Sequence, residues 1–221
     1  MSGRRVTKKR IRIPAGEDTV SALWQKPAAP EALIVLAHGA GAGMEHAFME
    51  TMAARLVQRD MAVLRFQFPY MEKGRRAPDR APRLLLTWSA ALDKATGLAG
   101  DLPLYMAGKS MGGRMASLWL ADHPDADVAG VMYLGYPLHP PGKPGTARGD
   151  HLSRIACPQL FMQGTRDKLA TIPLIRRVCD GLPGATLHIV EEGDHSFQVT
   201  KRSGQDQEEI FDRLADVMAG F

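Results

Sequence analysis

The run Ala32-Leu33-Ile34-Val35-Leu36-Ala37 is apolar at every position and stops at His38-Gly39. A strand buried on both faces has that pattern, as in the middle of a parallel sheet. Met44, Phe48, Met52 and Leu56 then recur at four-residue spacing, which predicts a helix of about four turns with one apolar face. The alternation continues. A strand over Ala62 to Phe68 is ended by Pro69, and a helix follows with Leu85, Trp88, Leu92 and Ala95 on one stripe. Leu104 to Ala107 is a short strand, and the helix after it bears Met115, Leu118 and Trp119. Further strands are read at Val128 to Leu134, Gln159 to Gln163 and Thr186 to Glu191. A last helix, capped by Ser203 with Asp206 in its first turn, buries Ile210, Phe211, Leu214, Val217 and Met218. The stretches Lys9 to Ile13 and Thr19 to Lys26 read as an antiparallel hairpin added at a sheet edge. The predicted fold class is therefore α/β, with three layers: a mostly parallel central sheet and helices on both faces.

Length and composition narrow this further. The 221 residues are 45% hydrophobic and 24% charged, an ordinary globular balance that excludes disorder, collagen-like repeats and a disulfide scaffold. Residues 1–221 are expected to form one domain. Between residues 135 and 149 eight of fifteen positions are Gly or Pro, so this stretch is a short connection and no lid domain is expected there. An open site follows.

The net charge of +4 is uneven, because Arg4, Arg5, Lys8, Lys9, Arg10 and Arg12 crowd the start. No aromatic residues interleave with them, and the cluster reads as a tail leading into a solvated edge strand, without nucleic-acid binding. No apolar segment follows that basic start, and none is long enough to span a membrane. Cys157 and Cys179 form no CxxC pair and read as reduced packing thiols, which points to the cytoplasm. Neither an HExxH motif nor a cysteine or carboxylate cluster calls for a metal, and no cofactor is expected.

Three glycine-rich features compete for the chemistry. Gly108-Lys109-Ser110 ends like a phosphate-binding loop, but that motif needs a glycine where Pro103 stands. Gly39-Ala40-Gly41-Ala42-Gly43 resembles a dinucleotide fingerprint, but Met44 occupies the position of its last glycine. Gly108-Lys109-Ser110-Met111-Gly112 does satisfy G-x-S-x-G, and it lies between a strand and a helix, where the motif has mechanical meaning. A serine at so sharp a turn is strained, and the glycines on either side let strand and helix approach. Ser110 is the candidate nucleophile.

A serine needs a histidine base and a carboxylate to orient it, and with this motif the chain order is Ser, acid, His. Asp167 follows the strand Gln159 to Gln163, and His195 follows the last strand. Loops at the carboxyl ends of parallel strands converge, so all three can meet. Asp194, the histidine's own neighbour, is a poorer orienter. His46, His123, His139, His151 and His188 read as surface or packing residues. The oxyanion would be held by the amides of Ala40 and Met111, with His38 and Gly41 as candidate substrate contacts. Arg75 and Arg76, in the loop Tyr70 to Arg83, either hold an anionic part of a substrate or belong to a solvated basic loop. Lys109 is expected to point away from Ser110 and make a structural contact.

With these residues in view, the chain resembles an α/β-hydrolase of the small lidless sort, similar to dienelactone hydrolases. The segments 38–43, 68–71, 107–114, 135–143, 164–167 and 193–197 look closer still to a group of predicted hydrolases. That group includes a subunit of the NSL histone-acetyltransferase complex and a testis-expressed homologue. The resemblance implies serine-dependent hydrolysis by Ser110, Asp167 and His195 and names no substrate. Dienelactone hydrolases proper use cysteine where this chain has Ser110. The expected activity is cleavage of a small ester or thioester, by a monomer or homodimer acting on a small-molecule acyl substrate. Its rivals are a non-catalytic interaction module on the same fold and an acyltransferase.

Overall fold

A computed structural model describes residues 6–221, so Arg4 and Arg5 of the basic cluster lie outside the described residues. Thr7–Ala15 (β1) and Asp18–Lys26 (β2) form the expected antiparallel hairpin, with Thr7 opposite Lys26 and Ala15 opposite Asp18. The chain then alternates through Ala32–Ala37 (β3), Ala47–Gln58 (α1), Met61–Phe66 (β4), Pro69–Glu72 (α2) and Ala81–Ala99 (α3). Leu104–Lys109 (β5), Met111–Ala121 (α4), Gly130–Leu134 (β6), Gln159–Gly164 (β7), Ile172–Asp180 (α5), Ala185–Val190 (β8) and Gln207–Ala219 (α6) complete it.

Eight strands make one sheet in the order β1-β2-β4-β3-β5-β6-β7-β8. The hairpin joins antiparallel through β2 and β4, and every pairing from β4 to β8 is parallel. β3 shows why both faces must be apolar. Leu33, Val35 and Ala37 enter one core with Trp88, Met115 and Ile175, under α3, α4 and α5. Ala32, Ile34 and Leu36 enter the other with Phe48, Met52, Phe211 and Leu214, under α1 and α6. β4 and β5 flank β3 on opposite sides, so strand order reverses there and a crevice opens at the strands' carboxyl ends. The connection after β6 contains only two short 3-10 turns, at Ala147–Gly149 and Leu152–Arg154, before β7, and no lid is inserted.

The structure corrects several local expectations. Met44 lies before α1, buried in the loop, and the helix starts at Ala47 behind His46, whose Nδ1 accepts the amide hydrogen of Phe48. β4 ends at Phe66, and Pro69 starts the single turn α2 instead of merely ending a strand. α5 is not among the expected elements: only Ile175 and Cys179 of its nine residues are buried, too short a stripe to stand out. The cap of α6 is Asp206, whose Oδ1 accepts from the amides of Glu208 (2.6 Å) and Glu209 (3.3 Å), while Ser203 closes a preceding 3-10 turn. Val217 is half-buried on that helix, and the other four expected positions are buried.

The β1 basic residues are partly neutralised, Arg10 by Glu45 at 2.5 Å and Arg12 by Glu72. Among the described residues no helix is long and apolar enough to cross a membrane, and no cluster of three or more His, Cys, Asp or Glu side chains is arranged to hold a metal. Removing the α6 cap in Asp206→Ala should lower unfolding stability by about 1 kcal/mol, read from urea denaturation, because two helix N–H groups lose their acceptor. An unchanged urea midpoint would contradict that role.

Candidate active site

The junction of β5 and α4 is the tightest place in the fold. A Cβ built on Gly108 would lie 2.2 Å from the amide nitrogen of Gly113, and one on Gly112 would lie 2.6 Å from the carbonyl oxygen of His38. Both contacts are with backbone, which cannot yield. Strand and helix therefore touch with no side chain between them, and Ser110 at the apex is forced to φ 51° and ψ −113°. That strained conformation holds its side chain out at the carboxyl end of the sheet. Arg114 N–H donates to the Ser110 carbonyl at 3.0 Å, so the first turn of α4 begins directly at the serine.

Ser110, Asp167 and His195, predicted from three separate loops, meet. His195 Nε2 is 2.8 Å from Ser110 Oγ, and His195 Nδ1 is 2.6 Å from Asp167 Oδ2. A carboxylate can only accept, so Nδ1 carries the proton and Nε2 is left to accept from the serine hydroxyl. The Asp167 side chain is fully buried. Its Oδ1 accepts from the Leu169 amide at 2.7 Å, and its Oδ2 also accepts from Gln163 Nε2. Asp194 serves the backbone instead. Its Oδ1 accepts from the amides of Ser196 (2.7 Å) and Gln198 (2.9 Å) and shapes the loop that carries the histidine.

The glycine loop after β3 is pinned from β4 and α2. His38 is fully buried; Phe68 N–H donates to its Nε2 at 3.0 Å, and its Nδ1 donates to the Gly39 carbonyl at 2.8 Å. Burial pushes its pKa down to about 4, so it stays neutral there. Tyr70 Oη donates to the same carbonyl at 3.3 Å. Gln67 Oε1 accepts from the Met44 amide at 2.8 Å, and buried Arg65 donates to the Met44 carbonyl at 2.7 Å and to Gln25. The amides of Ala40 and Met111, beside the serine, have no acceptor among the described residues.

Lys109 makes the structural contact expected of it, though inside the site. Its Nζ donates to the His195 carbonyl at 2.5 Å and lies about 6 Å from the rings of Phe48 and Phe197. Burial pushes its pKa down to about 8.

Two cavities meet at Ser110. One of about 440 Å³ lies on the histidine side, lined by Gly41, His46, Phe48, Lys109, His195 and Ser196 among others. The second, of about 510 Å³, runs along α4 under the connection after β6, with Met111, Arg114, Pro137 and Arg148 in its wall. They share Ala40, Ser110 and Leu169. Of the candidate substrate contacts, Gly41 lines the first cavity, whereas His38, Arg75 and Arg76 lie in neither wall. His38 faces inward as a strut between loops. Arg75 pairs with Asp79 at 2.5 Å, and both it and Arg76 are exposed residues outside either cavity wall. His46, expected to be a surface or packing residue, lines the first cavity. The residues missed were Arg65, Gln67 and Gln163, and their signal was present: Arg65 and Gln67 interrupt a predicted, otherwise apolar strand, and Gln163 is a polar residue at the end of another.

The model of the alpha/beta hydrolase domain family matches residues 30–221, and the chain belongs to that family. Its fold and family class it as a hydrolase. A dienelactone hydrolase from Anabaena variabilis is similar in structure, with TM-score 0.77 and 18% identity over 97% of this chain and 96% of the other. Est1E from Butyrivibrio proteoclasticus gives 0.73 and 16% over 95% and 97%. A serine hydrolase without a lid from Xanthomonas campestris gives 0.71 and 16% over 86% of each.

The close approach at the elbow makes a sharp stability prediction. Gly112→Ala should cost about 3 kcal/mol or more, because overpacking against backbone has no relief. Gly97→Ala on α3, where a Cβ meets nothing within 4 Å, should be neutral or slightly stabilising. Thermal unfolding of the two proteins checks both, and equal midpoints would refute the contact.

Proposed function

We propose that the chain is a serine-dependent hydrolase of small carboxylic esters or thioesters. The observation that carries this reading is the hydrogen-bonded chain from Asp167 through His195 to Ser110, at the mouth of two cavities. His195 Nε2 takes the hydroxyl proton as Ser110 Oγ attacks the acyl carbon, and Asp167 stabilises the imidazolium formed. The negative charge moves onto the former carbonyl oxygen, toward the Ala40 and Met111 amides. Collapse expels the alkoxide or thiolate, which takes the proton from His195 Nε2 and leaves an acyl-serine. Water then attacks that ester, His195 accepting its proton and returning it to Ser110 Oγ, and the carboxylic acid departs.

The two unpaired cysteines support a reducing compartment such as the cytoplasm, and burial raises both thiols, Cys179 to about 12. Neither competes as a nucleophile.

Ser110→Ala should lower kcat/KM on p-nitrophenyl acetate by about a thousandfold or more, and fluorophosphonate labelling should disappear with it. Retained esterase activity in that variant would remove Ser110 from the mechanism. With no lid to shelter a long chain, kcat/KM across p-nitrophenyl esters should fall as the acyl group lengthens; faster turnover of long-chain esters would contradict this.

A further inference from the structure

The second cavity carries positive charge that has no ion-pair partner among the described residues. Its wall is largely apolar, with Leu84, Met115, Pro137 and Leu169, but Arg114 and Arg148 both face it. Among the described residues no carboxylate pairs with either guanidinium, whereas Arg55, Arg59, Arg75, Arg83 and Arg154 each have one. Arg114 Nε is buried without a hydrogen-bond partner. The guanidinium of Arg148 makes one long contact, 3.4 Å to the Pro137 carbonyl. Burial of Arg114 and the nearby charge of Arg148 both disfavour the Arg114 cation. Asp79 in the same wall does not compensate, since its Oδ1 is held by Arg75 at 2.5 Å and faces Arg83 at 3.7 Å; its Oδ2 is buried and unpaired. Two like charges in a half-closed apolar cavity are costly unless an anion enters.

The position of that cavity decides which half of a substrate meets it. His195 must hand its proton to the leaving group, so the leaving group lies in the cavity that His195 lines. The acyl group then extends into the other one, past Met111 toward Arg114, one helical turn from Ser110. Arg148 is anchored there by its backbone, its carbonyl accepting from Tyr136 Oη at 2.7 Å.

We infer that the acyl group taken by Ser110 ends in a carboxylate held by Arg114 and Arg148, making the substrate a half-ester or half-thioester of a short dicarboxylic acid. The inference rests on the reading of Ser110 as nucleophile. A planar guanidinium fork matches a carboxylate, and one anion accepting from both offsets part of their mutual repulsion.

The test compares monoethyl glutarate with the ethyl ester of glutaric acid monoamide, which has the same shape without the charge. Wild type should favour the acid in kcat/KM by about tenfold or more, chiefly through KM. Arg114→Met and Arg148→Met should each bring that ratio toward one, and Arg114→Lys should keep part of it. Calorimetric binding of both esters to Ser110→Ala, which cannot turn them over, should show the same charge preference. A ratio near one in wild type, or a preference untouched in both Met variants, overturns the inference. Arginine-dependent binding of the acid to Ser110→Ala, with neither ester hydrolysed by wild type, would instead overturn the nucleophile reading alone.

Discussion

Everything at the site depends on two backbones touching. Because Gly108 and Gly112 present no side chain, α4 lies directly on the end of β5 and against the end of β3, where the carbonyls of Ala37 and of His38 just beyond it meet Gly112. One contact thus sets three things together: the strained Ser110, the direction of the first free amide of α4, and the point from which the glycine loop departs. A larger residue at either position would separate strand from helix and move all three. The strain at Ser110 persists because the packing around it leaves no other path, with the sheet register on one side and the α3–α4 layer on the other.

Around that contact, rigidity comes from polar groups placed where burial would otherwise penalise them. His38, Arg65 and Gln163 each lose contact with water, and for each the loss is offset by hydrogen bonds to a loop that must not move, with half-buried Gln67 adding a further tie. Gln163 serves two loops at once: its amide nitrogen supports Asp167, and its amide oxygen accepts from the Tyr136 backbone at 3.0 Å. The carboxylate loop and the connection after β6 are therefore tied to one side chain. Lys109 does the same for the histidine loop, reaching across from the strand that carries the serine. Three loops distant in sequence behave as one unit because strand residues hold them from below.

The connection after β6 acquires a purpose beyond brevity. Its prolines make a wall, and its Arg148 is set into that wall by Tyr136, itself buried against Tyr133 and Phe161. The chain has no lid, yet one side of the crevice is still enclosed. Charge is divided with equal clarity, with the ammonium of Lys109 on the histidine side and two guanidinium groups on the other.

Much of this was legible in the residues themselves. Uninterrupted apolar runs such as 32–37 announce strands buried on both faces, and G-x-S-x-G between a strand and a helix admits few other readings. The order of Ser110, Asp167 and His195 then follows from which strand each one ends. These are local signals, because a strand's burial and a turn's sterics are written within a few neighbouring residues. What spacing could not reveal is which side chains face one another across the fold. His38 and Arg75 sit in loops that reach the crevice, yet one turns inward to accept from Phe68 and the other outward to Asp79. Nothing in the spacing singles out Arg114 on its helix or Arg148 in the turn-rich connection. Only folding brings two such cations, 34 positions apart in the chain, to one cavity where no carboxylate pairs with either, since charge balance is a property of three-dimensional neighbours and not of sequence.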